Sequence, residues 1–140
     1  MKKIILTITA VSFTYLSAGL LEDAAKLDVK KVCDVKANGL AKVIDVAKKY
    51  NPEAIKLGVE FKRLGVKNRE YIKYTDEAIK AKKKETVIKY LDKKKKEKTK
   101  KFATDYAAWR ACTFAVRALQ QKVEAEKTWR MAVPGDGFKY

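Results

Sequence analysis

Between Phe102 and Val123 the apolar residues Phe102, Tyr106, Trp109, Cys112, Val116, Leu119 and Val123 recur at steps of three and four. That repeat lines side chains along one stripe of an α-helix. Asp105, Arg110, Arg117, Gln121 and Lys122 fall on the opposite side. A chain with such a segment must bury the stripe against partner elements, so the pattern predicts a central helix with Cys112 in the middle of its inner face.

The rest of the chain is read as partners for that helix. Glu22 to Tyr50 carries a second apolar stripe, with Val29, Cys33, Leu40, Val43 or Ile44, Ala47 and Tyr50, weakened at Asn38-Gly39, where a kink is expected. Asn51-Pro52 should end it, because a residue before proline is pushed out of the α region. A short helix from Pro52 to Leu64 is then expected, closed by a left-handed cap at Gly65. Asn68 is the expected N-cap of a third helix, with Glu70 in its first turn.

From Lys80 to Lys101 the chain holds 12 lysines and three acids, which reads as one solvated basic helix face with a thin apolar stripe of Val87, Tyr90 and Leu91. A turn near Lys93 to Thr99 would make a helical hairpin with the Phe102 helix. The alternative, a single helix of about 60 residues, would be some 90 Å long and would need a partner chain along it. These readings give an all-α fold, a small bundle of three to four helices with a long helical hairpin in its C-terminal half.

The N-terminus has the form of an export signal. Met1-Lys2-Lys3 is a short positive start, Ile4 to Leu16 an uncharged apolar run, and Ser17-Ala18-Gly19 a small-residue cleavage site. The organisation expected is a signal over residues 1–19, one helical domain over 20–133 and a turn-rich tail over 134–140. A retained anchor is the alternative, since the uncharged run extends through Leu21 to about 18 residues, near the lower limit for a bilayer span. Cys33 and Cys112, the only two cysteines, lie on apolar stripes of a chain bound for an oxidising compartment. A disulfide joining the first and last long helices is expected.

Little catalytic chemistry is available. There is no histidine, and serine occurs only at Ser12 and Ser17, which removes the commonest general base and the Ser-His and Cys-His arrangements. No glycine-rich phosphate loop is present, and no cofactor or metal ligand set is expected. Glu60, between Val59 and Phe61, is the one carboxyl whose apolar neighbours could raise its pKa as a glycosidase acid needs. Tyr71 and Tyr74 beside Lys73, and Tyr90 beside Lys89, could stack on nucleic-acid bases, but in an exported protein they read better as core-capping rings.

The formal net charge is +16. It points to an anionic partner, contacted through Lys82, Lys83, Lys84, Lys93, Lys94, Lys95, Lys96, Lys98, Lys100 and Lys101. The function expected is a periplasmic or secreted basic binding or assembly protein that docks on an acidic protein or an anionic envelope polymer. The alternative is a protein held to an anionic membrane surface by its lysines. Nucleic acid fits the charge but not the compartment.

Overall fold

A computed structural model describes the backbone over residues 12–129 and the side chains over 19–129. The positive start and most of the apolar run of the expected signal, and the tail over 134–140, lie outside the described residues. The elements in order are α1 (Ser12–Lys26), α2 (Val29–Val32), α3 (Val35–Asn38), α4 (Leu40–Lys56), β1 (Lys62–Arg63), β2 (Val66–Lys67), α5 (Asn68–Lys80), β3 (Glu85–Leu91), β4 (Glu97–Ala103) and α6 (Thr104–Thr128). Two antiparallel hairpins, β1-β2 and β3-β4, make the fold mixed α/β. The all-α expectation is wrong, and so is the long helical hairpin in the C-terminal half.

The lysine-rich segment is a β-hairpin because its inner residues follow period two. Thr86 and Ile88 are buried and Tyr90 is half-buried, while Glu85, Val87, Lys89 and Leu91 face out. Branched and aromatic residues at that spacing suit a half-buried strand. A helix would have stacked lysines at i and i+4, where like charges repel. Register pairs Thr86 with Phe102, Ile88 with Lys100 and Tyr90 with Lys98. The buried hydroxyls of Thr86 and Thr104 lie 3.1 Å apart, and Thr104 Oγ1 also donates to the Lys83 carbonyl at 2.8 Å. The hairpin is thereby fastened to the start of α6.

The expected first long helix is cut into pieces by its own aspartates. Asp28 Oδ1 accepts the N–H groups of Lys30 and Lys31, and Asp34 Oδ1 those of Lys36 and Ala37. Each therefore starts a new four-residue helix as its N-cap. Gly39, at φ 80°, provides the last break. Pro52 does not end α4, which runs one turn further to Lys56. There Gly58 (φ 70°) closes it, the N–H of Val59 reaching the Ala54 carbonyl and that of Gly58 the Ile55 carbonyl. Gly65 caps no helix. With Leu64 it forms the two-residue loop of β1-β2, both at positive φ, as a type I′ hairpin turn requires.

α6 runs through the centre and packs on α4, α5 and α1. Its buried face is Ala107, Ala108, Ala111, Cys112, Ala115, Val116, Ala118 and Leu119. Tyr106 and Trp109, expected inside, stand at its edge, 42% and 43% exposed, whereas Arg110, expected outside, is only 5% exposed. The expected stripe followed the largest side chains, but alanines carry the burial. Small residues there let neighbouring helices come close.

The Cys33–Cys112 disulfide is present, with Cα atoms 5.7 Å apart and both side chains fully buried. It ties the end of α2 to the middle of α6. Asn68 is the first residue of α5, not its cap, and its fully buried amide donates to Asn51 Oδ1 (2.9 Å) and to the Ala111 carbonyl (3.0 Å). This joins α4, α5 and α6 through one polar contact. The expected third helix forms only as far as Lys80, the stripe residues Val87, Tyr90 and Leu91 lying in β3, and Glu70 accepts the Lys67 N–H at 2.9 Å.

Candidate anion-docking surface

The loop of the β3-β4 hairpin is built to display lysines. Asp92 Oδ1 accepts the N–H groups of Lys94 (2.8 Å) and Lys96 (3.0 Å), while the Lys95 N–H returns to the Asp92 carbonyl (3.0 Å). Lys95 stands at φ 58°, which is the geometry of a three-residue loop closed by a left-handed residue. Hydrogen bonds from the Lys96 backbone, outweighing the opposing effect of desolvation and aided by Lys94 and Lys98, hold the Asp92 carboxyl below its ordinary range. The acid is turned to the backbone, leaving Lys93, Lys94, Lys95 and Lys96 exposed.

At the other end of the hairpin, α5 finishes with Lys82 at φ 53°. The N–H of Lys83 reaches the Ala78 carbonyl and that of Lys82 the Ile79 carbonyl, a Schellman cap with lysine where glycine is usual. Lys82, Lys83 and Lys84 project from this cap and are exposed. The two clusters sit at opposite ends of strands seven residues long, about 20 Å apart at the strand rise. The single helical ridge expected from sequence is therefore two separate basic clusters.

The strand lysines behave differently. Lys98 pairs with Asp92 (3.3 Å) and Lys101 with Glu85 (3.8 Å). Lys100 donates to the Leu64 carbonyl (3.1 Å) and lies over the Tyr90 ring at 4.9 Å. Among the described residues no carboxylate lies within ion-pair distance of Lys82, Lys83, Lys84, Lys93, Lys94, Lys95 or Lys96. Of the ten lysines expected to contact a partner, those seven are open to one. The other three already hold the hairpin together.

Sequence reasoning missed a second feature, a run of ring contacts leading to the surface. Tyr71 meets Phe102 (5.7 Å between centroids), Phe102 stacks on Tyr106 (5.8 Å), and Tyr106 meets Trp109 (5.6 Å). Arg110 lies beneath them, 5.0 to 5.9 Å from the Phe114, Tyr71, Tyr106 and Phe102 rings, donating to the Tyr106 hydroxyl at 3.1 Å. Aromatic faces stabilise a guanidinium, and here they take the place of a carboxylate. Burial pushes the Tyr71 phenol up, and with 1% exposure it cannot stack on a nucleic-acid base. Tyr74 and Tyr90 are half-buried. The signal available in sequence was the aromatic density around Arg110, from Phe102 to Phe114.

Two clefts open beside this surface. One, of about 460 Å³, is lined by Lys30, Asp34, Val35, Lys36, Asp105, Tyr106 and Trp109. The other, of about 560 Å³, is lined by Leu40, Ile79, Lys82, Lys83, Lys84, Ala103, Thr104 and Asp105. Both reach Asp105.

Glu60 lies elsewhere and is engaged. It accepts Arg69 Nε at 2.9 Å, the Arg69 backbone N–H at 2.8 Å and Asn51 Nδ2 at 3.1 Å. Burial pushes its carboxyl up, but the hydrogen bonds from Arg69 and Asn51 outweigh it and hold the group below its ordinary range. That is the reverse of what a general acid needs. Among the described residues no group of histidine, cysteine and acidic side chains could hold a metal ion, and no helix is long and apolar enough to cross a membrane. Comparison of the chain with family models, curated proteins and solved structures finds no match.

Proposed function

We propose that this is an exported basic binding or assembly protein that docks an acidic protein or an anionic envelope polymer through the two ends of its β3-β4 hairpin. The observation that carries this reading is the set of seven lysines with no carboxylate partner among the described residues, held outward by a loop and a helix cap that both place lysine at positive φ. Left-handed backbone disfavours a side chain by about 1 kcal/mol or more, and glycine would suit both positions better. Lysine there is understandable if the charge is used. The buried disulfide is compatible with an oxidising compartment such as the periplasm.

A second reading, docking on an anionic membrane, is favoured by Leu91 beside the hairpin loop, 63% exposed. An apolar side chain among lysines suits a head-group interface. Flotation with vesicles of neutral lipid and of neutral plus anionic lipid separates the two. The first reading expects the protein to stay with soluble polyglutamate or polyuronate when these compete with anionic vesicles. Unchanged flotation under that competition supports the membrane.

A further inference from the structure

We infer that the surface running from Trp109 across Asp105 to Lys84 is a binding groove for an acidic glycan, a chain of sugar rings bearing carboxylates. The inference rests on the proposed docking function and names its partner. Asp105 lines both clefts, so a chain long enough to pass it would touch two sites that differ in chemistry.

The first end is an aromatic platform. Tyr106 and Trp109 are in ring contact yet more than two-fifths exposed, and their position is set from below by the buried Arg110 that bonds the Tyr106 hydroxyl. Exposed, rigid aromatic faces with little else to bury them mark a contact surface. Around them stand two acids and two amines that lack ion-pair partners among the described residues: Asp34, Asp105, Lys30 and Lys36. Asp34 and Asp105 each use Oδ1 on backbone N–H groups, and Oδ2 of each remains to accept from a ligand. A sugar ring matches this set, with a C–H face for the rings, hydroxyl donors for the carboxylates and oxygen acceptors for the lysines.

The second end supplies charge. Lys82, Lys83 and Lys84 border apolar walls from Leu40 and Ile79, suited to sugar carboxylates along the same chain. A nucleic-acid strand would also stack on Trp109; Asp34 and Asp105 repel its phosphates as they would a sugar carboxylate, so the hydroxyl-rich ring beside the aspartates, not charge, is what favours the glycan, and an oligonucleotide is an arm of the test. An acidic peptide offers carboxylates for the lysines and no hydroxyl-rich ring for the aspartates. The acidic glycan offers hydroxyls for the aspartates and carboxylates for the lysines in one chain.

The test uses the full mature chain carrying Trp129→Phe, so that Trp109 is the only tryptophan fluorophore. Oligogalacturonate, its neutral methyl ester, polyglutamate and oligodeoxythymidylate are titrated, with circular dichroism confirming the fold of each variant. Oligogalacturonate is expected to shift Trp109 emission; by titration calorimetry, which needs no fluorophore, Trp109→Ala should weaken its binding about tenfold, while Trp109→Phe restores most of it and polyglutamate affinity stays within about twofold. The methyl ester should still shift Trp109, more weakly. If the lysines bind no polyanion but the ester still registers at Trp109, the docking reading fails and the aromatic cleft stands. Absence of any Trp109 response to either sugar overturns the groove, as does an equal loss for polyglutamate in Trp109→Ala. An equal or larger Trp109-dependent response to oligodeoxythymidylate overturns the glycan in favour of a nucleic acid.

Discussion

Removing the Cys33–Cys112 crosslink should cost this protein a large part of its stability. The bond closes a span of 79 residues, for which loop-closure entropy gives about 4.5 kcal/mol of destabilisation of the unfolded chain. Both side chains are fully buried, so Cys33→Ala with Cys112→Ala also loses about 1 kcal/mol of packing. The sum, about 5 kcal/mol, is a third or more of what such domains usually possess. It should lower the melting temperature by about 15 to 25 °C. The loss should be local as well. α2 is a four-residue helix, too short to persist without tertiary support, and Cys33 joins its end to α6. Thermal melts by circular dichroism compare the parent, the parent under reductant and the double variant. Urea unfolding should show a steeper denaturant dependence in the variant, because its unfolded chain is free to expand. A drop of less than about 5 °C, with equal urea slopes, would refute the reasoning, since the span would then be restrained by other means.

Lys95→Gly should stabilise the hairpin by about 1 kcal/mol, and Lys82→Gly the end of α5 by a similar amount, because each relieves a left-handed lysine; urea midpoints check both. Leu64→Asn, at φ 52° in an exposed two-residue loop followed by Gly65, should raise the melting temperature by a few degrees, the pair then matching the preferred type I′ sequence. Arg110→Met should leave stability within about 1 kcal/mol of the parent or raise it, since a buried cation with one unbonded amino group gives way to an apolar chain of similar length; Arg110→Glu should unfold the protein in the same assay. Against the opposing effect of burial, hydrogen bonds from Arg69 and Asn51 hold the Glu60 carboxyl, and those from Lys48 and Lys80 the Asp76 carboxyl on α5, below their ordinary values of 4.5 and 3.8, so their contribution is complete above those values and falls away as pH drops through the folded ones. Melting temperature should therefore decline on acidification below about pH 4, less steeply in Glu60→Gln.

Some of this structure could be read from residues alone, and the failures have physical causes. The disulfide was legible because each cysteine lies among apolar residues at helical spacing in a chain with an export-like start. The last helix was legible in position but not in rotation. Ala107, Ala108, Ala111, Ala115 and Ala118 carry its inner face, and a stripe traced through Tyr106, Trp109 and Val123 points about one residue aside. The hairpin was missed because Val87, Tyr90 and Leu91 fit a helical step while Thr86, Ile88 and Tyr90 fit a strand. Lysine between them votes for neither. The expected turn, from Lys93 to Thr99, overlaps the true loop that Asp92 begins, but its part from Glu97 onward is β4. Asp28 and Asp34 looked like outward charges of one long helix, yet each caps a new one. Seven of the ten expected contact lysines stand open at the hairpin ends, but the pairing of Lys98 with Asp92 and of Lys101 with Glu85 depends on the strand pairing that was not foreseen, and that of Lys100 on Leu64 arriving from the β1-β2 loop. The Trp109 surface was hidden because Lys30, Asp34 and Lys36 reach it from α2 and α3, far away in sequence.

The docking claim rests on the open lysines, and its most direct measurement is the salt dependence of polyanion affinity in the parent and in a variant carrying Lys93→Gln, Lys94→Gln, Lys95→Gln and Lys96→Gln. Affinity for polygalacturonate, measured from about 50 to 500 mM salt, should fall steeply for the parent, because each lysine engaged at the polymer releases a bound counterion and screening shortens the reach of the rest. Lysine acts as a hydrated point charge without the fork of arginine, so the interaction should depend on charge density more than on shape. The variant should bind more weakly at low salt and with a shallower slope, while keeping the melting temperature of the parent within a few degrees, as the four side chains make no ion pair among the described residues. Equal affinities and equal slopes for the two proteins would contradict the account, leaving the hairpin loop a solvated end of the fold.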